Sequence, residues 1–365
     1  MGSVWNGQKL KLSLFGESHG DKIGIVIDNF PAGFKINLEY INFQMERRKP
    51  KKDKYSTSRN ESDEVEIISG IFNGYTSGAP ICATIKNKDY NSKDYSKIKN
   101  LLRPGHADYS AYKKYNGYND YRGGGHFSGR MTAPLVFAGA LCASYIKEKY
   151  DIEIYSKICS IAGIMDQGHI ENIFELKNML KDIGNEAFPL HSKESKELIE
   201  KLIERTAERG NSVGGMIETY VFGLSAGFGN PFFNSLESEI SRMIFSIPAI
   251  KGILFGAGEK FAHITGKESN DEYYMDNKEI KTSSNNNGGI IGGISNGMPI
   301  YYQTVVKPTS SISIEQNTVN INTNREEKIS IEGRHDACIV PRVIPVIDNA
   351  TAIVIMDTIL SEVNA

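Results

Sequence analysis

Residues 103–149 read RPGHADYSAYKKYNGYNDYRGGGHFSGRMTAPLVFAGALCASYIKEK. The stretch falls into two unlike halves at Arg130. After it, no charge appears until Lys147. Apolar residues on every side of a helical wheel mark a helix buried in the core rather than one lying on a surface, so a core helix is expected over 131–149. The apolar run 133–146 is shorter than a membrane span and holds Pro134 and Gly139, which also favours a buried core helix. Before Arg130, glycine, arginine, histidine and tyrosine crowd together. Glycine lets backbone approach a ligand closely and adopt positive φ. Arginine is scarce, at 12 against 30 lysines, so solvated surface is left to lysine. A guanidinium fork suits bidentate binding of carboxylate or phosphate. Together these residues predict a loop-built site for a small anionic molecule, with the amides at the start of the 131–149 helix able to face the anion.

Working outward, residues 9–15 and 23–27 read as strands joined by the turn GESHG. Leu38–Arg48 reads as a helix capped by Asn37. Residues 47–63 are charged, without apolar period, and are expected to form a long functional loop. Strands follow at 65–71 and 79–85; residues 86–129 are mostly irregular. A strand at 153–163, amphipathic helices at 170–183 and 193–209, and a strand at Gly215–Phe222 come next. A glycine loop at 223–229, a helix at 233–246 and strands at 251–255 and 301–306 follow, the strands being separated by the glycine-rich 285–297. Residues 318–331 are polar and strand-like, and 346–360 close the chain as a buried helix. There is no fixed-period repeat, linker or regular βαβ alternation. A single mixed α/β domain over residues 1–365, carrying large functional loops, is expected.

The 365 residues are 40% hydrophobic, enough for a sizeable core, with a formal net charge of −2. No global basic field is available to hold nucleic acid or a membrane surface, so an anion must be captured locally. Cys82, Cys142, Cys159 and Cys338 are scattered without a CxxC pair and are expected to be reduced core thiols. The first residues show no charged region followed by a long apolar run; no signal peptide is expected, and the location is expected to be cytoplasmic. FGAGEK at 255–260 lacks P-loop spacing, and Gly123, Gly125 and Gly129 fail the dinucleotide fingerprint. There is no HExxH and no carboxylate cluster, so no metal is expected.

Short motifs outside the window carry further chemistry. His19 in GESHG suits a general acid as well as a turn histidine bonded to backbone. His106 beside Gly105, with Arg103 and Asp108 near, fits an anion site better than a structural turn. Arg334-His335-Asp336 is compatible with a surface charge cluster, and Lys307-Pro308-Thr309-Ser310-Ser311 with an ST-turn. The basic run 47–54 taken alone reads as a solvated face.

Separately ambiguous, these motifs stand in a telling order. GESHG, RPGHAD, DYRGGG, GGIIGGIS, KPTSS and GRHD, spread from Gly7 to Leu360, resemble the chorismate synthase family. That resemblance implies a single-domain β-α-β sandwich, assembled as a homotetramer. It implies a carbon–oxygen lyase that removes phosphate from 5-enolpyruvylshikimate 3-phosphate by 1,4-anti elimination. The reaction uses reduced FMN without net redox change, and NADPH or another external donor is the indirect reductant. Carried over by motif, His19, His106 and Asp336 are the catalytic residues. Ser18, Arg48, Arg103, Arg130 and Arg334 would bind substrate. Flavin contacts would fall on Arg48, Lys54, His126, Phe127, Ser128, Pro248, Ala249 and Gly292, on Lys307, Pro308, Thr309, Ser310 and Ser311, and on Arg334. Departures are His126-Phe127 for the usual arginine-serine, Pro248 for asparagine, Ala337 for proline and Lys54 for an arginine linked with NADP. Identical loops would also serve a flavin oxidoreductase acting on an anionic substrate, or a non-catalytic phospholigand-binding module.

Overall fold

A computed structural model describes residues 3–49, 63–87, 99–168, 170, 172–184, 186–331 and 336–363. The chain forms two five-stranded antiparallel sheets with helices between them. Strands β1 (Val4–Asn6), β2 (Lys11–Gly16) and β3 (Lys22–Asp28) lead to helix α1 (Leu38–Arg48). Strands β4 (Val65–Ser69) and β5 (Ile81–Lys86) complete the first sheet, in the order β1-β2-β3-β5-β4. The short helix α2 (Asp108–Lys114) and the core helix α3 (Thr132–Tyr150) follow. Strands β6 (Glu153–Ile161) and β7 (Ile164–Met165), helices α4 (Ile173–Ile183) and α5 (Lys193–Glu208), and strand β8 (Gly215–Phe222) come next. Helix α6 (Leu236–Ile244) and strands β9 (Ile250–Phe255) and β10 (Ile300–Val306) complete a second sheet, ordered β9-β10-β8-β6-β7. A hairpin of β11 (Gln316–Asn320) and β12 (Arg325–Ile329) precedes the last helix, α7 (Val340–Val363).

Alternation sets each sheet's inner face. Ile23, Ile25 and Ile27 on β3 pair with a strand whose Ile81, Ala83 and Ile85 are equally buried. On the second sheet Ile217, Thr219 and Val221 of β8 and Ile300, Tyr302, Thr304 and Val306 of β10 turn inward. Two-residue periodicity places such residues on one face. Between the faces run α3 and α7, the latter packed against β6 and β8 and the former against β3, β5 and β6. Two pairs of buried hydroxyls bond within this layer: Tyr302 with Thr351 at 2.6 Å, and Ser156 with Thr219 at 2.8 Å. Among the described residues α7 alone is long and apolar enough to cross a membrane, and it is wholly buried.

Gly139 sets the distance between α3 and α7. A Cβ there would lie 2.2 Å from the carbonyl oxygen of Asn349 on α7 and 2.4 Å from its carbonyl carbon. Both obstacles are tied to helix backbone, so neither can swing aside. Alanine gains roughly 0.5–1 kcal/mol over glycine from helix propensity, whereas overpacking a core costs about 1–3 kcal/mol. Gly139→Ala should therefore lower stability by about 1–2 kcal/mol in urea denaturation, and Gly139→Val by more. An alanine variant as stable as the parent would mean that the helices do not meet as closely as described.

Candidate functional site

RPGHAD, the glycine-rich segment ending at Arg130, KPTSS and Asp336 meet at one end of the helical layer, around a cavity of about 440 Å³. Three helix ends supply part of its walls. Arg130 and Thr132 sit at the start of α3, Arg48 at the end of α1, and Asp336, Ile339 and Arg342 around the start of α7. Loop residues 103–108, 119–129 and 307–311 close the remaining sides, with Ile247, Pro248 and Ala249. A volume of this order suits a small-molecule site. A second cavity of about 450 Å³ lies behind α1, but its lining contains none of the residues expected from sequence to bind or react.

Arginine–carboxylate pairs dominate the site. Arg103 grips Asp108 bidentately, Nε to Oδ2 and Nη2 to Oδ1 both at 2.8 Å. Burial pushes the Asp108 carboxyl up, but its bonds to Arg103 outweigh burial and hold it below the ordinary aspartate value. Arg122 grips Asp120 in the same way, at 2.9 and 2.8 Å. Arg48 donates Nη1 to Asp63 Oδ2 at 2.6 Å and Nε to Thr132 Oγ1 at 3.1 Å. Arg130 donates Nη1 to the other oxygen of Asp63 and Nε to Asn87 at 3.0 Å. Arg342 holds Asp336 and also bonds the Arg48 carbonyl at 3.5 Å, tying α7 to the end of α1. These guanidiniums are thus fixed in place within the chain itself.

His106 stands where RPGHAD meets KPTSS. Its Nδ1 lies 3.0 Å from the Pro104 carbonyl, which can only accept, so Nδ1 carries the hydrogen. Nε2 is 3.0 Å from the Ser311 hydroxyl and accepts from it in the neutral ring. Burial, and then the Arg103 charge, push the imidazole down to about 4. Lys307 Nζ bonds the Gly105 carbonyl at 2.7 Å and Ser310 at 2.8 Å. Burial and the neighbouring Lys251 lower the ammonium's pKa. Gly105 has φ +71, and a Cβ there would meet Ser310 Oγ at 2.7 Å; only glycine lets the two loops come so close.

Ser18 and His19 of GESHG are outside the cavity lining and stand behind it, against Gly123. Ser18 Oγ is 3.1 Å from His19 Nδ1 and 3.1 Å from the Gly123 carbonyl. Gly123 lines the cavity with φ +57, and a Cβ there would fall 2.0 Å from His19 Cε1. Phe127 lines the cavity half-exposed, and Ser128 caps the turn by accepting from the Arg130 amide at 3.3 Å. His126 turns elsewhere: Nδ1 donates to the Gly16 carbonyl and Nε2 meets Ser3 Oγ, each at 2.8 Å. Its side chain fastens the loop to β2. Gly292 is not brought to the cavity; it sits in the turn of a short hairpin, Ile290–Ile291 with Ile294–Ser295, packed beside Gly229 and Leu236. Lys54 and Arg334 lie outside the described residues, as does most of the expected 47–63 loop.

Two bland expectations give way. The basic run does not begin as a solvated face, because Arg48 is buried on Asp63, and Arg47 pairs with buried Asp348 of α7 at 2.9 Å. Asp336 is likewise buried and cavity-lining, not a surface charge. Sequence reasoning missed Asp63 and Arg342, and it assigned no role to Asp120 or Arg122. The lone positional hint was that Asp63 ends the charged stretch whose beginning holds Arg48. Among the described residues no group of three His, Cys, Asp or Glu side chains is placed to hold a metal.

A β-α-β sandwich with an arginine-lined cavity at one end of its helical layer is an enzyme scaffold for a small anionic substrate. Comparison narrows this class. Residues 10–360 match the chorismate synthase family model. A chorismate synthase of Dehalococcoides mccartyi is 42% identical over 354 residues, covering 97% of this chain and 96% of that protein. The chorismate synthase of Methanocaldococcus jannaschii is 42% identical over 362 residues, covering 97% and 95%. A crystal structure of chorismate synthase superposes with a TM-score of 0.74 at 27% identity, over 98% of this chain and 93% of the other. The chain belongs to the chorismate synthase family, lyases of the shikimate pathway.

The His106 geometry has a direct consequence in solution. The folded ring binds its proton at about pH 4, below the ordinary value of 6.5. The unfolded chain therefore takes up a proton before the folded chain does as pH falls. Stability contributed by the neutral ring is complete above about pH 6.5 and is lost between about pH 6.5 and 4. NMR titration of labelled histidine should place the His106 midpoint near 4. A midpoint of 6 or higher would contradict the described burial and the Arg103 contact.

Proposed function

We propose that this cavity carries out the 1,4-anti elimination of phosphate from 5-enolpyruvylshikimate 3-phosphate, giving chorismate, with reduced FMN bound beside the substrate. The observation that carries this reading is the convergence of Arg48, Arg103 and Arg130 with Lys307 on a cavity whose other wall is apolar. The substrate bears one phosphate and two carboxylates on a small ring, so it needs several fixed cations and one dry face. Membership of a family of chorismate synthases supports the same chemistry.

A flavin mononucleotide fits the residues present. Thr309 Oγ1 is buried at the cavity with no hydrogen-bond partner among the described residues, where a ligand oxygen could bond it. Lys307, Ser310 and Ser311 adjoin it, and Pro248, Ala249 and Ile247 offer a flat apolar surface. Arg48 and the Phe127–Ser128 backbone are further contacts, with Lys54 and Arg334 proposed by motif alone. When bound, reduced FMN supplies electron density to the substrate and recovers it, so there is no net redox change.

The chain's own residues do the rest. Arg48 and Arg130 orient the phosphate group and, with His19, stabilise it as the carbon–oxygen bond breaks and phosphate departs with the electron pair. Asp336 receives the proton that leaves C6, while Arg342 keeps its carboxylate aimed into the cavity. Neutral His106, held by Pro104 and Ser311, would set the protonation of the reduced flavin. The apolar residues Ile339, Val343 and Val346 exclude water. A homotetramer in the cytoplasm, with NADPH acting only through an external flavin reductant, completes the proposal.

One assay tests the assignment: anaerobic release of phosphate from 5-enolpyruvylshikimate 3-phosphate with chemically reduced FMN. Catalytic turnover without stoichiometric NADPH consumption is expected. Stoichiometric NADPH oxidation, or flavin-independent binding without turnover, would point to the other readings of these loops. In the same assay Asp336→Asn should bind FMN and substrate within a few-fold of the parent, yet turn over about 10²-fold more slowly. A near-normal rate in a folded Asp336→Asn protein would remove Asp336 from the chemistry.

A further inference from the structure

Asp63 belongs to no motif and takes no part in the reaction as described, yet its carboxylate is completely shielded from solvent between two cavity-lining arginines. Oδ2 accepts from Arg48 at 2.6 Å, and Oδ1 accepts from Arg130. Each guanidinium has a further fixed anchor through Nε, Arg48 on Thr132 and Arg130 on Asn87. An edge of each fork is thereby occupied by the chain.

We propose that Asp63 is a positioning residue: its carboxylate holds Arg48 and Arg130 in register for the substrate phosphate and lowers their combined pull on it, so that phosphate can leave after the reaction. This rests on Arg48 and Arg130 binding the substrate's anion. The physical argument is one of charge and direction. Two buried guanidiniums sharing a neighbourhood repel each other, and without a carboxylate between them they would splay. One shared aspartate fixes the spacing of both forks and offsets one unit of their positive charge. Cations that bind reactant, transition state and product phosphate equally do not raise turnover. An internal counter-ion tempers that uniform attraction and leaves geometry to discriminate. A purely structural ion pair predicts the opposite response to its removal, with disordered arginines and weaker anion binding.

The sign of phosphate affinity separates the two. Asp63→Asn preserves shape and removes the charge. With oxidised FMN present, calorimetry should show inorganic phosphate binding at least threefold tighter to Asp63→Asn than to the parent. In turnover, kcat should fall at least tenfold while KM for substrate stays level or falls. Unchanged or weaker phosphate binding in a folded Asp63→Asn protein overturns the proposal. Should that variant not fold, Asp63→Glu keeps the charge but shifts both forks. It should retain parental phosphate affinity within twofold and lose at least tenfold in kcat; parental kcat would refute positioning. Phosphate that fails to compete with substrate in the parent protein would instead remove the premise that these arginines bind the substrate's anion, and the proposal with it.

Discussion

Everything at the site hangs on the contact between α3 and α7, where the missing side chain of Gly139 lets one helix rest on the backbone of Asn349. Both helices are buried between the sheets, apart from the last turn of α3, where Lys147, Glu148 and Lys149 are exposed. Their depth is what makes the site possible. The start of α3 presents Arg130 and Thr132, and the start of α7 presents Ile339, Arg342 and Val343, all to the same cavity. The glycine loop before α3 and the residues before α7 are therefore delivered to one place by core packing, and contacts such as His126 on the Gly16 carbonyl and Arg342 on Asp336 then hold them there.

Charge is the second constraint. Arg48, Arg103, Arg122, Arg130 and Arg342 each hold a carboxylate of the chain. Breaking a buried ion pair by removing one partner typically costs about 3–5 kcal/mol, so such pairs persist only where geometry is well satisfied. The bidentate grip of Arg103 on Asp108 meets that condition, while Arg122 grips Asp120 with the same geometry in a more exposed setting. The arrangement keeps cations in a partly dry pocket without leaving them to collapse or wander. It also explains the neutral imidazole: His106 is desolvated beside the Arg103 guanidinium, and both effects disfavour a second positive charge.

Local signals were read well where local physics decides. Leu38–Arg48 and Gly215–Phe222 lie where the capping asparagine and the alternation put them. Proline misled at the end of the chain. Expected from residue 346, α7 begins at Val340 and carries Pro345 inside, because burial on all sides sustains a helix that propensity would interrupt. Residues 318–331 looked like a single polar strand and are a hairpin turning at Asn324, whose φ is +52. The exposed hairpin Tyr273–Asp276 with Glu279–Thr282 escaped notice because it has no buried face to impose alternation. At the site, Arg103, His106 and Asp108 were legible together because they share one turn. Asp63 was not: its partner Arg130 is 67 residues away, and nothing in either segment announces the other. His126 shows the converse, a motif position whose side chain serves the scaffold.

As proposed, anion-binding chemistry is concentrated in the cavity at the ends of α1, α3 and α7. A crystal structure with oxidised FMN and 5-enolpyruvylshikimate 3-phosphate should show the substrate phosphate within hydrogen-bonding distance of Arg48 and Arg130, with the flavin along the 307–311 loop. Substrate seated instead in the second cavity behind α1, against Arg47 and Asp348, would contradict that proposal.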